Sequence, residues 1–561
     1  MRRTLDTLSL LFGVLLLSSS ALADVPSQAA IASPHPQASA AGRQVIEQGG
    51  NAFDAAVAVS AALAVVEPYG SGLGGGGFFL LRENTQPVRY RFIDAREKAP
   101  LKATAGMYLR DGKPQPGLSI NGPLAAAIPG LPAALVELAE HYGSLPLAQS
   151  LAPAIHLARQ GFEVDRVYRE RAQARLAALR DDPESARLFL HNGEVPALGQ
   201  MLRQPELATS LERLAQHGRD GFYAGPTASA LLEGVQAAGG VWQAQDLTGY
   251  QVATREPLRY ALAGQRELIS APPPSAGGVA LAQSLAMLQQ LPWQQADTVQ
   301  RAHYVIEVLR RAYRDRGLLG DPDHVPAPLA QLLAEPYLKG LAAGIDAQQA
   351  TPSASLPPAP AWREGDHTTH FAILDGKGNA VAATLSVNLP FGAAFSAPGT
   401  GIVLNNEMDD FAADPTGSNS YGLAASPANA VAAGKRPLSS MAPSFIESPT
   451  DFTAFGTPGG SRIPSMVLLS MLQYLDGQPV AQWPAVPRYH HQYLPDVVEF
   501  ESAAFNSEQV EQLQARGYTL KQTTRPYGNQ QVLFWHKGSG AVEAASDPRG
   551  LGVPQVFNAP D

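Results

Sequence analysis

Apolar residues follow one another almost without a break over residues 52–66, which predicts a helix buried on all sides. Asn51 supplies an N-cap and Asp54 stands three positions later, a capping-box start. Asp54, Ser60 and the shortness of the run argue against a membrane span. The turn Ser71-Gly72-Leu73-Gly74-Gly75-Gly76-Gly77 comes next, followed by an apolar strand over 78–81. Gly72-x-Gly74-x-x-Gly77 spells a dinucleotide fingerprint, but that fingerprint needs a strand before and a helix after. Here the helix comes first, so close backbone approach in a core turn is the better account. Between 120 and 350, apolar positions recur at three- and four-residue steps, predicting mainly helices. Ala271-Pro272-Pro273-Pro274-Ser275-Ala276-Gly277-Gly278 interrupts them as a turn, with a helix beginning near Val279.

From Thr368 the period becomes two. Residues 369–374 and 380–386 are β-rich runs around the five-residue loop Asp375-Gly376-Lys377-Gly378-Asn379, a hairpin pattern. Pairing Leu374 with Ala380 places Thr368 opposite Ser386; a one-residue slip would change which faces align. Just upstream, residues 351–361 have the Pro-rich composition of a linker, where a backbone cut would find accessible chain. A cut before Thr368 would give that residue a free α-amine beside its own hydroxyl. An N-terminal amine can serve as the base that a hydroxyl nucleophile needs. Its ordinary pKa, about 7.7–8.0, leaves a neutral fraction near pH 7.

Composition narrows the chemistry further. The chain has 561 residues and no cysteine, so disulfides, thiolate nucleophiles and thiolate metal sites are excluded. Charged residues make up 16% and apolar residues 45%, as in a globular enzyme. The net charge of -9, with no basic stripe, argues against a nucleic-acid partner. Residues 1–23 read as an export signal: Arg2-Arg3, an apolar stretch over 8–17, and Ala21-Leu22-Ala23 for cleavage. The mature protein is therefore expected in the periplasm or outside the cell, with no membrane anchor.

Several clusters carry candidate chemistry. Asn388 lies two residues beyond Ser386, on the same strand face. Glu407 and Asp410, three apart, can converge on a substrate ammonium or form a solvated acidic turn. Ser439-Ser440 offers paired hydroxyls for a substrate carboxylate, or ordinary turn chemistry. Gly459-Gly460 precedes the apolar run 463–475, where glycine N–H groups would make an oxyanion site or simply begin a helix. His367-x-x-His370 has helical metal-ligand spacing, but the residues after it alternate as a strand and no further ligand is well spaced. No metal or cofactor is called for.

Taken together, these clusters resemble the γ-glutamyltranspeptidase (glutathione hydrolase) family of N-terminal nucleophile hydrolases. The resemblance includes Gly49-Gly50-Asn51-Ala52-x-Asp54, Leu73-Gly74-Gly75-Gly76-Gly77-Phe78 and Asp94-x-Arg96-Glu97-x-Ala99-Pro100. It continues through Pro272-Pro273-Pro274-Ser275-x-Gly277-Gly278, Thr368-Thr369-His370 and Asn405-Asn406-x-Met408-Asp409-Asp410-Phe411. It closes with Lys435-Arg436-Pro437-Leu438-Ser439-Ser440-Met441 and Pro458-Gly459-Gly460-Ser461-Arg462.

The resemblance implies an α/β fold, a four-layer αββα sandwich of two intertwined subunits from one precursor. Residues 24–367 would form the large subunit and 368–561 the small one, cut between His367 and Thr368. Thr368 would attack the γ-carbonyl of a γ-glutamyl donor such as glutathione, with Ser386 nearby and the oxyanion on the Gly459 and Gly460 N–H groups. Arg96, Ser439 and Ser440 would hold the α-carboxylate, and Asn388, Glu407 and Asp410 the α-ammonium. Tyr421 would close a lid. Water or an amino acid would accept the γ-glutamyl group. Ser386 stands where many bacterial relatives have threonine, and Glu407 where some have glutamine. The alternatives are a glutaryl or cephalosporin acylase of the same family, whose substrate lacks the ammonium, and a non-catalytic binder of γ-glutamyl peptides.

Overall fold

The computed structural model describes residues 25–357, 367–412 and 426–560. Two antiparallel sheets lie face to face and helices cover both outer faces, the αββα sandwich expected. The first sheet has seven strands, in the order Gln555–Phe557, Ala29–Ala32, Thr368–Leu374, Ala380–Ser386, Gly76–Glu83, Arg89–Ala95 and Ala253–Arg255. The second has six, in the order Ala541–Ser546, Gln531–His536, Asp451–Gly456, Ser444–Glu447, Arg266–Ser270 and Leu258–Leu262.

Strand alternation splits the interior into two cores. Phe371, Ile373, Val381, Ala383, Phe79 and Leu81 point toward the helices over the first sheet. Their neighbours Ala372, Leu374, Ala380, Ala382, Phe78 and Leu80 point into the space between the sheets. Covering both faces is what makes these antiparallel strands apolar at nearly every position; each large side chain so buried contributes about 1.5–3 kcal/mol. The helix Ala52–Val66 lies in the first core with every residue buried. Asn51 caps it by accepting the Phe53 and Asp54 N–H groups, and Asp54 accepts from Asn51, Ser144 and Leu145. The glycine run is a close-approach device: a Cβ on Gly74, Gly75, Gly76 or Gly77 would come within 2.0–2.6 Å of a neighbouring carbonyl oxygen.

Two expectations need correction. The helical zone 120–350 also holds the strands Ala253–Arg255 and Leu258–Leu262, each a sheet edge, and Arg266–Ser270, the strand next to the second edge. They are three to five residues long and partly exposed, too short for period two to stand out among helices. The supposed linker is docked at its start. Ser353 is buried, donates from its backbone to Asp496 at 2.7 Å and gives its hydroxyl to the Tyr493 carbonyl at 2.7 Å. The leader 1–23 and the segment 358–366 lie outside the described residues.

The sheets meet tightly next to His370. A Cβ on Gly456 would sit 2.1 Å from His370 Cε1, and that imidazole is fully buried against its Thr384 hydroxyl partner. Gly456→Ala is therefore expected to lower unfolding stability by about 2–3 kcal/mol, as overpacking does. Denaturant unfolding checks this; an unchanged midpoint would show that the ring moves aside freely.

Candidate active site

Thr368 begins the third strand of the first sheet, paired directly with Ser386. By alternation, Thr368, His370 and Ser386 share the face that looks toward the second sheet, so Thr368 stands at the open end of the inter-sheet space. The second sheet contributes the turn at the end of its strand Asp451–Gly456. There Gly459 donates its N–H to Thr368 Oγ1 at 3.2 Å. Gly459 and Gly460 have φ of +140° and +53°, backbone that L side chains rarely adopt, and the helix Ile463–Leu475 begins just beyond. Ser386 Oγ lies 3.5 Å from the His367 carbonyl oxygen, so a second hydroxyl faces the 367–368 peptide.

Thr369 points the other way. Its hydroxyl donates to Glu67 at 2.9 Å, at the end of the buried helix, and Tyr69 donates to the same carboxylate at 3.3 Å. Burial pushes the Glu67 carboxyl up. No spacing could reveal this anchor, because Glu67 and Thr369 are 302 positions apart. His370 is not placed as a metal ligand: its Nδ1 meets Thr384 Oγ1 at 2.8 Å, and burial pushes the ring down to about 3. Among the described residues, no group of three acidic or histidine side chains could hold a metal ion.

A pocket of charged side chains assembles around Arg96, which is buried. Its guanidinium is 2.8 Å from Glu407 and pairs closely with Asp410. It also donates to the Pro437 carbonyl at 3.2 Å and the Leu438 carbonyl at 3.4 Å, one residue before Ser439 and Ser440. Glu407 and Asp410 bracket the 3₁₀ turn Glu407–Asp410, where residues three apart eclipse, so both reach one cation. Burial pushes Glu407 up to about 7, against the pull of Arg96, with Glu97 raising it further and the Ser386 hydroxyl lowering it. That hydroxyl links the pocket to the Thr368 strand pair.

Asn388 reaches the site by a different route from the one its spacing suggests. The strand stops at Ser386, and Asn388 adopts φ +75°. Its N–H donates to Ser386 Oγ at 2.7 Å and its amide to the Asn406 carbonyl at 2.9 Å. Turn geometry, rather than a shared strand face, sets its side chain. Ser440 Oγ accepts from Arg316 at 3.3 Å, and Ser439 Oγ accepts the Met441 N–H at 3.1 Å. Glu97 joins the site without any signal in the sequence beyond its place next to Arg96. Neither of its oxygens finds a hydrogen-bond donor among the described residues, Arg96 is 3.7 Å away, and burial pushes it up to about 8. Tyr421 lies outside the described residues.

Known proteins resemble this chain in sequence and in fold. The family model described as gamma-glutamyltranspeptidase matches residues 38–557. The glutathione hydrolase proenzyme of Pseudomonas sp. (strain A14) is 39% identical over 86% of this chain and 84% of its own length. That of Escherichia coli (strain K12) is 37% identical over 93% and 91%. Among solved structures, cephalosporin acylase from Bacillus halodurans superposes with TM-score 0.83 at 26% identity, covering 96% of this chain and 97% of that one. Helicobacter pylori gamma-glutamyltranspeptidase superposes with TM-score 0.55 at 34% identity, covering 58% and 93%. The chain belongs to the γ-glutamyltranspeptidase family.

Proposed function

We propose that this protein is an exported γ-glutamyltransferase and glutathione hydrolase that cuts its own backbone before Thr368. The observation that carries this reading is the Arg96–Glu407–Asp410 cluster, one strand pair away from a threonine that receives an oxyanion-type N–H. An arginine and two carboxylates in a buried site are complementary to a zwitterion. The α-carboxylate of a γ-glutamyl group replaces the carboxylates on Arg96, helped by Ser439 and Ser440. Its α-ammonium replaces Arg96 on Glu407 and Asp410, with Asn388 beside them.

In maturation, Thr368 Oγ attacks the His367 carbonyl carbon and its hydroxyl proton passes to the departing nitrogen. The resulting ester is opened by water, leaving the His367 carboxylate and a free Thr368 amine. Ser386 Oγ supports this step from its place near the His367 oxygen. In turnover the Thr368 amine takes the hydroxyl proton as Oγ attacks the γ-carbonyl. Gly459 and Gly460 N–H groups steady the oxyanion. The amine returns the proton to the leaving nitrogen, and water or an amino acid then releases the γ-glutamyl group from Oγ. Residues 24–367 and 368–561 are the two subunits. They stay together because Thr368–Leu374 is held between Ala29–Ala32 of one piece and Ala380–Ser386 of the other, with Gly76–Glu83 beyond.

The acylase alternative has a solved relative in the Bacillus halodurans enzyme. Glu407 and Asp410 disfavour it here, because a glutaryl group has no ammonium to neutralise them, and two buried carboxylates would stay unpaired.

Three outcomes are expected on this reading. Thr368→Ala yields one full-length band on a denaturing gel and no γ-glutamyl anilide cleavage; normal processing would remove Thr368 as the nucleophile of the cut. Asp410→Asn lowers kcat/KM for a γ-glutamyl anilide by roughly 100-fold, about 3 kcal/mol, the range for truncating one partner of a buried charge pair. The same substitution leaves a glutaryl anilide little changed, and wild-type preference for the glutaryl donor would favour the acylase instead. Glu407, raised to about 7, must ionise to face an ammonium. L-glutamate inhibition therefore tightens as pH rises through that value, while glutarate inhibition does not, and Glu407→Gln removes the difference. Parallel pH profiles for the two inhibitors would count against Glu407.

A further inference from the structure

A second set of buried charges adjoins Arg96, and none of the steps above uses it. Its centre is Asp94, fully buried near the end of the strand Arg89–Ala95. One carboxylate oxygen accepts the Arg96 N–H at 3.0 Å and stands 3.4 Å from the Arg436 guanidinium. The other accepts from Arg255, on the edge strand Ala253–Arg255, at 2.8 Å. One carboxylate thereby ties together three segments that lie far apart in sequence.

Asp321 fixes the same region from its backbone. It is fully buried and accepts the Arg436 N–H at 2.8 Å and the Asp323 N–H at 3.0 Å. Asp323 in turn pairs with Arg255 at 2.8 Å and with Arg436 at 3.1 Å. Burial pulls the Arg436 guanidinium down, but the groups around it, Asp94 foremost, more than offset this and hold it above its ordinary value.

Arg436 leads directly into the chain that receives Arg96. The Pro437 carbonyl accepts from Arg96 Nε at 3.2 Å and the Leu438 carbonyl from Nη2 at 3.4 Å, with Ser439 and Ser440 next. Asp94 thus holds both sides of this contact: the backbone of the arginine, and the residue just before its carbonyl acceptors. Glu407 and Asp410 cannot aim Arg96 in a complex, because on the proposed function they turn to the substrate ammonium. The two carbonyls keep their place. We infer that Asp94 is the positioning residue for α-carboxylate recognition, fixing Arg96 against residues 437–440 once substrate has taken Glu407 and Asp410. It touches no substrate atom and acts through Arg96 and Arg436. This rests on the reading of Arg96 as the partner of the α-carboxylate.

The role concerns one half of the zwitterion. The ammonium side is built on the turn Glu407–Asp410, and among the described residues Asp94 makes no hydrogen bond or ion pair with that turn. An asparagine at 94 keeps the shape and can still accept the Arg96 N–H, but it carries no charge. Arg255 and Arg436, whose charges oppose each other, then lose the carboxylate between them. The α-carboxylate contact loosens while the ammonium contact stays.

The test uses L-glutamate and 4-aminobutyrate, which differ only in the α-carboxylate. Binding to the mature enzyme is followed by calorimetry, which needs no turnover. Wild type is expected to bind L-glutamate more tightly. In Asp94→Asn the affinity for L-glutamate is expected to fall about tenfold, the scale of one charge-assisted contact, with that for 4-aminobutyrate unchanged. Should Asp94→Asn fail to fold or mature, Arg255→Gln at the sheet edge takes its place and is expected to shift the ratio of affinities in the same direction. A merely structural role weakens both ligands alike. An unchanged ratio in the variant measured therefore overturns the assignment of Asp94 and leaves the Arg96 pocket untouched. Equal binding of the two ligands by wild type instead removes Arg96 as the partner of the α-carboxylate, and this inference with it.

Discussion

The pairing of Thr368–Leu374 with Ala380–Ser386 is the constraint on which the site depends. It sets one hydroxyl directly opposite another, and it sets both on the face between the sheets. A slip of one residue would turn Thr368 toward the helices, where Thr369 now meets Glu67. The register is held from both faces: Phe371 and Ile373 lie in one core, Ala372 and Leu374 in the other. Gly456 lets the second sheet approach closely enough for Gly459 to reach Thr368 Oγ1.

Next to this frame the buried charges stand in contacts of opposite sign. Arg96 pairs with both Glu407 and Asp410, which offsets part of the cost of burying the three charges. On the proposed function, a bound zwitterion replaces each of those contacts with one of the same sign, so little desolvation remains to be met on binding. Burial still raises the carboxyls of Glu407 and Glu97, so a further cation beside them would favour their charged forms. Among the described residues, the cleft beside His367 is lined by Arg171, Arg462, Lys521 and Arg525 and by the carboxylates of Glu170 and Glu499.

Local patterns were legible where one segment carries its own signal. The capped helix Ala52–Val66 and the helix Ile463–Leu475 have the bounds that their apolar runs suggest, and the hairpin has the register its five-residue loop implies. The strands between Ala253 and Ser270 were not legible, because each is only three to five residues long and carries few apolar positions. The Pro-rich segment misled through composition: Ser353 is pinned by Tyr493 and Asp496, partners that composition cannot see. Asn388 lies against Ser386 for a reason other than the one its spacing offered, since a left-handed turn follows the end of the strand.

By itself, the order of residues determined where the helices Ala52–Val66 and Ile463–Leu475 and the Thr368 hairpin lie, that no thiol chemistry is available, and that Thr368 stands at a strand start where a cut would free its amine. Those properties are local, set by periodicity, capping and composition. Only the tertiary structure decided that Arg96, Glu407 and Asp410 share one buried pocket, that Glu67 anchors Thr369, and that Arg171, Arg462 and Arg525 line one cleft. Each of those groupings joins residues up to several hundred positions apart, and no period or spacing along the chain carries that distance. It is the stacking of two sheets, each built from both halves of the chain, that brings them together.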